Sequence, residues 1–237
     1  ASFSPEYLTL FFRDVDQGDP EIQSKMYGFI DEMIEKLEII KTPPPLFWLS
    51  DLERFLEIVP SLATEPLNVQ LDAFLSIPEA RLFYSTMIVR DFGGNVTLSR
   101  VDINMDGLPE STIRDQIRTL DQITQIVQDY PVNQGRHNDN PAFYAFSEEL
   151  FRWEFFRAIA DELVFSAIVG VLSVSVVALV FIPHWSSAPI VLPFLCILYT
   201  DLLGVLQWAG ISINPVTYII LAFSVGLLVD FLMHILL

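Results

Sequence analysis

From Val164 to its last residue the sequence contains no lysine or arginine and only two acids, Asp201 and Asp230. No other feature limits the fold as much, because a stretch of this length with almost no charge cannot supply the polar surface of a water-facing domain. The first part is the opposite. All 13 Lys and Arg lie at or before Arg157, and all but two of the 30 acids lie at or before Glu162. The overall values, 52% hydrophobic residues and a formal charge of −17, therefore average an acidic domain and a nearly uncharged apolar region. An excess of acids with no basic cluster argues against nucleic acid as a partner.

The apolar region divides at Pro183 to Pro189 and at Gly210 to Pro215 into three runs, about 164–181, 188–210 and 217–237. Each has the length of a transmembrane helix, so three antiparallel spans are expected. Residues 148–163 place Trp153, Phe155 and Phe156 among charges and read as an interfacial connecting helix. In the third run Asp230 and His234 stand at i, i+4 spacing on one helical face. Ala222 and Gly226 continue that row as small residues suited to close helix packing. An acid and an imidazole inside such a run mark an ion or substrate path by default. The plain alternative is a polar latch between helices. Asp201 lies at another depth and is a candidate intramembrane polar partner.

The acidic part, residues 1–147, reads as an α+β domain. A strand at 7–13 is followed by a helix that starts at Asp19-Pro20, a good N-cap and first-turn pair. Thr42-Pro43-Pro44-Pro45 ends this helix, and helices are expected over 47–59 and over 69–86 with a break at Pro78. Two strands around Gly93-Gly94-Asn95, the second changing phase near Arg100, suggest a hairpin with a bulge. An amphipathic helix over 112–130, carrying Ile113, Ile117, Leu120, Ile123, Val127 and Tyr130 along one stripe, precedes a strand at 142–146. This order fits a split βαβ sandwich with a helical insertion.

Several motifs fail on inspection. Asp102 to Gly107 opens like an EF-hand loop, but the twelfth loop position is Ile113 and Pro109 interrupts the ligands. His137 and His184 lack metal-ligand spacing. Neither metal, cofactor nor enzymatic activity is expected. Asn95-Val96-Thr97 is a glycosylation sequon in the hairpin turn and points weakly to a lumenal or extracellular side. The chain begins with Ala and stops inside an apolar run, which suggests a piece of a longer membrane protein.

Gly204-Val-Leu-Gln-Trp208-Ala-Gly-Ile-Ser-Ile-Asn214-Pro215-Val-Thr217 and Gly226-Leu-Leu-Val-Asp230-Phe231-Leu-Met-His234 resemble the Patched and Niemann-Pick type C group of the RND transporter superfamily, in its second membrane half. Phe143 to Phe146, Leu150 and Trp153 resemble the return of that group's chain from its second extracytosolic domain. The resemblance covers about 143–237. It implies a ferredoxin-like extracytosolic domain and sterol-sensing-domain-like spans. It further implies transport of sterol or another membrane lipid coupled to a proton or monovalent cation, with Asp230 as the relay acid and His234 as its companion. On this resemblance the chain is a multi-pass integral membrane protein with residues 1–160 outside the cytosol. Two alternatives stand beside it. One is a non-transporting sterol sensor or receptor whose outer domain binds a protein ligand. The other is an intramembrane aspartyl protease, whose YD and GxGD motifs this chain does not meet.

Overall fold

The computed structural model describes residues 6–44, 46–107, 112–137, 140–181 and 188–211, then 216–217, 219–221, 223–224 and 226–227. The chain forms two compact units, Ala1–Trp153 and Glu154–Leu237.

The first unit is built on a four-stranded antiparallel sheet of order β2-β3-β1-β4, from β1 (Tyr7–Arg13), β2 (Ile88–Arg90), β3 (Val96–Asn104) and β4 (Phe143–Phe146). The alternation of YLTLFFR puts Leu8, Leu10 and Phe12 on one face, fully buried, and leaves Thr9, Phe11 and Arg13 on the other. Two long helices cover the buried face. Helix α1 (Pro20–Lys36) begins where the Asp19 carboxylate accepts the Glu21 N–H, and it buries Met26, Phe29, Ile30 and Met33. Helix α5 (Ile113–Asp129) begins with a capping box between Thr112 and Asp115. Its buried stripe is Leu120, Ile123 and Ile126, continued by Tyr130, whereas Val127 is only half-buried. The layers meet in an aromatic cluster: Phe12 packs edge-on to Phe29 and Phe143, and Tyr130 stacks on Phe143.

Between α1 and β2 lies the helical insertion, α2 (Trp48–Ile58), α3 (Leu67–Leu75) and α4 (Pro78–Tyr84). Pro78 opens α4 as an N-terminal proline, so the break expected there separates two helices. The hairpin between β2 and β3 turns at Asp91 to Asn95, where Gly94 takes φ +83°. Its register shift falls opposite Val89 and Arg90, with Thr97 as the extra residue on β3. Beyond that point β3 alternates regularly past Arg100, so the bulge lies a few residues earlier than the phase change suggested.

Helix α6 (Glu148–Phe181) runs through 34 residues, and α7 (Ala188–Trp208) through 21. Among the described residues no helix is long and apolar enough to cross a membrane. This corrects the expected transmembrane spans over 164–181 and 188–210, and with them the all-α bundle of three helices, the multi-pass integral membrane placement and the extracytosolic side assigned to residues 1–160; the expected span over 217–237 lies largely outside the described residues. The physical reasons lie in the elements. The charged segment expected to form its own connecting helix is continuous with the first apolar run in α6, which therefore opens with Glu148, Glu149 and Arg152. Helix α7 contains Pro193, and its exposed face carries Asp201. A charge facing hydrocarbon at mid-bilayer would cost on the order of 2.5–3.5 kcal/mol.

Candidate functional site

Many of the described apolar side chains of the second unit are exposed. On α6, Phe165, Ile168, Leu172 and Val176 are all exposed, at steps of three and four residues that keep them on one helical face. Helix α7 repeats the device. Phe194, Ile197, Val205 and Trp208 are exposed along one stripe, with Trp208 90% exposed at its end. Asp201 occupies the middle of this stripe, seven residues from Phe194 and seven from Trp208, about 10 Å each way along the axis.

Two hydroxyls of this unit bond to carbonyls of their own helical turns. Thr200 donates its hydroxyl to the Cys196 carbonyl at 2.7 Å, and Ser224 does the same to Ile220 at 2.8 Å. Asp201 has no hydrogen-bond or ion-pair partner among the described residues. The result is a long apolar strip with one carboxylate at its centre. Such a surface suits a ligand that is mostly hydrocarbon and offers a single hydrogen-bond donor. Contiguous exposed apolar surface on this scale marks a binding surface.

Asp230, His234 and Ala222 lie outside the described residues. Gly226 is helical and exposed, and a Cβ placed on it would meet no described atom within 4 Å. Asn95 is exposed at the hairpin tip, where its side-chain amide donates to the Asp91 carboxylate at 3.3 Å. Asp91 also accepts the N–H groups of Gly93 and Asn95, and these bonds with Asn95 and Gly93 hold its carboxyl below the usual carboxylate range. Asn95 belongs to the first unit and Asp201 to the second. No group of three His, Cys, Asp or Glu among the described residues is placed to hold a metal ion.

The α7 stripe is the feature that sequence reasoning missed. Its signal was present as the three-and-four spacing of Phe194, Ile197, Asp201, Val205 and Trp208, but a run that is apolar on every side hides which face is left open. No family model matches the chain, and no curated protein matches it.

Proposed function

We propose that this chain binds a sterol or another hydroxyl-bearing lipid along the exposed stripe of α7, with Asp201 accepting the ligand hydroxyl, and that it acts as a binding protein and not as an enzyme. The observation that carries this reading is the single unpartnered carboxylate within the apolar strip from Phe194 to Trp208. Apolar contact at about 25 cal/mol per Å² supplies the affinity. The hydroxyl-to-carboxylate bond, about 1.5–3 kcal/mol for a charged acceptor, sets orientation and selects against hydrocarbons that lack a donor. The resemblance of the Gly204–Thr217 and Gly226–His234 segments to the Patched and Niemann-Pick type C group supports the same ligand class. In the carrier form of this reading, the bound lipid is moved between membranes with uptake and release of a proton or monovalent cation at Asp230 and His234.

The test is a titration of the full chain with dehydroergosterol delivered from cyclodextrin, followed by energy transfer from Trp208. Saturable transfer is expected, weakened about tenfold in Asp201→Leu, abolished in Ile197→Glu, and lost as signal but not as binding in Trp208→Phe. Transfer that is unsaturable, or that Ile197→Glu leaves unchanged, overturns the reading. The carrier form predicts sterol movement between donor and acceptor vesicles that Asp230→Asn abolishes while binding persists.

A further inference from the structure

In the first unit, a cavity of about 220 Å³ opens between α1, the Pro43-Pro44 segment and α2. Phe47 is buried beneath it, and the Tyr27 ring stands edge-on to Phe47 at 5.2 Å and 85°. Tyr27 is fixed there because its hydroxyl donates to the Glu53 carboxylate at 3.0 Å. The rim is acidic. Asp31 lines the opening and has no ion-pair partner among the described residues. Asp51 lines it as well, accepting from the Tyr84 hydroxyl and, at 3.3 Å, from Arg54. Arg54 is the only base among the described residues of the lining and is largely exposed.

We infer that this cavity takes the arginine or lysine side chain of a partner protein. Its methylenes would lie against Phe47 and Pro44, and its charge would meet the Tyr27 ring and the Asp31 carboxylate. Three features favour a cation. An aromatic ring at the mouth of a partly dry cavity attracts a cationic head. Asp31 offers an uncompensated carboxylate that can accept a charge-assisted hydrogen bond. The whole chain, with 30 acids against 13 bases, steers basic partners toward it and repels acidic ones. The same excess makes a second copy of this chain a poor occupant. This assignment is independent of lipid binding, since it uses only residues of the first unit.

The probe is the doubly capped tripeptide Leu-Arg-Leu, compared with its citrulline analogue, which keeps the shape and loses the charge. Binding to the full chain is read by amide chemical shifts around Tyr27 and Asp31. The arginine peptide is expected to saturate these shifts, and the citrulline peptide to bind about tenfold more weakly. Asp31→Asn should weaken the arginine peptide severalfold, whereas Tyr27→Phe, which keeps the ring, should retain it. Glu57→Gln, an exposed acid of α2 outside the lining, serves as the control for general attraction and should have no effect. Equal binding of the two peptides overturns the proposal. So does equal weakening by Glu57→Gln and Asp31→Asn, which would reduce the effect to net charge.

Discussion

Asn133 pairs with Phe143 through both ends of its side-chain amide: Oδ1 accepts the Phe143 N–H at 3.0 Å, and Nδ2 donates to the Phe143 carbonyl at 2.7 Å. The same side chain also accepts the Ala142 N–H at 2.8 Å and donates to the Val127 carbonyl at 2.6 Å. A buried side chain with all four hydrogen-bonding positions filled thereby joins the end of α5 to the start of β4.

Asn133→Ala leaves these backbone groups buried without partners, each worth about 1–3 kcal/mol if unsatisfied. A loss of roughly 3 kcal/mol is expected, given that such effects do not add fully. Asn133→Asp, which keeps the acceptor and loses the donor, should also destabilise. Urea denaturation followed by far-ultraviolet circular dichroism measures both. A change within about 0.5 kcal/mol in Asn133→Ala would refute this assignment.

Gly107 donates its N–H to the Ile39 carbonyl at 2.8 Å, and a Cβ placed on it would stand 2.8 Å from the Ile39 Cα and 3.0 Å from the Glu38 carbonyl oxygen. Backbone atoms cannot swing aside as a side-chain tip can. Gly107→Ala should therefore cost about 1–3 kcal/mol as overpacking, read as a lowered unfolding midpoint. The glycine that made Asp102 to Gly107 look like a calcium loop is accounted for by this close approach.

Tyr130 donates its hydroxyl to the Lys25 carbonyl at 2.5 Å. Burial, followed by the charges of Glu32 and Asp31, raises its pKa from 10.0 to about 12. Burial also raises Tyr27 and Tyr84, each aided by its bond to Glu53 or Asp51. The folded form holds these phenolic protons more tightly than the unfolded chain does, so their contribution is complete below pH 10 and is lost as pH rises through the raised values, about 12 for Tyr130. Denaturant midpoints measured from pH 9 to 12 should fall. Tyr130→Phe should lower stability by about 1 kcal/mol at pH 8 and flatten the fall. A midpoint independent of pH over that range would contradict the reading.

Thr112 caps α5, its hydroxyl accepting the Asp115 N–H while Asp115 accepts the Thr112 N–H. Thr112→Ala should cost about 1 kcal/mol, and Thr112→Ser should restore most of it. An unchanged thermal midpoint in Thr112→Ala would show that tertiary packing alone holds this terminus.

The sequence by itself determined the local elements of the first unit, because their causes are local. Asp19-Pro20 starts α1 through one carboxylate and one fixed φ, and the alternation of Leu8, Leu10 and Phe12 selects a strand with one buried face, whereas α1 ends at Lys36, ahead of the expected stop at Thr42 to Pro45. Only the tertiary structure decided the rest. Asn133 is buried against Phe143, and Gln17 is 1% exposed, accepting the Ser99 hydroxyl at 2.6 Å across 82 residues; neither role follows from the neighbouring residues. The cavity at Tyr27 and Asp31 combines residues of α1 and α2 that only packing brings together. In the apolar region composition specifies hydrophobicity but not orientation, and the stripe around Asp201 is visible only from the side chains that the fold leaves uncovered. Local propensity is written in neighbouring residues, whereas burial and partnership depend on contacts between residues far apart in the chain.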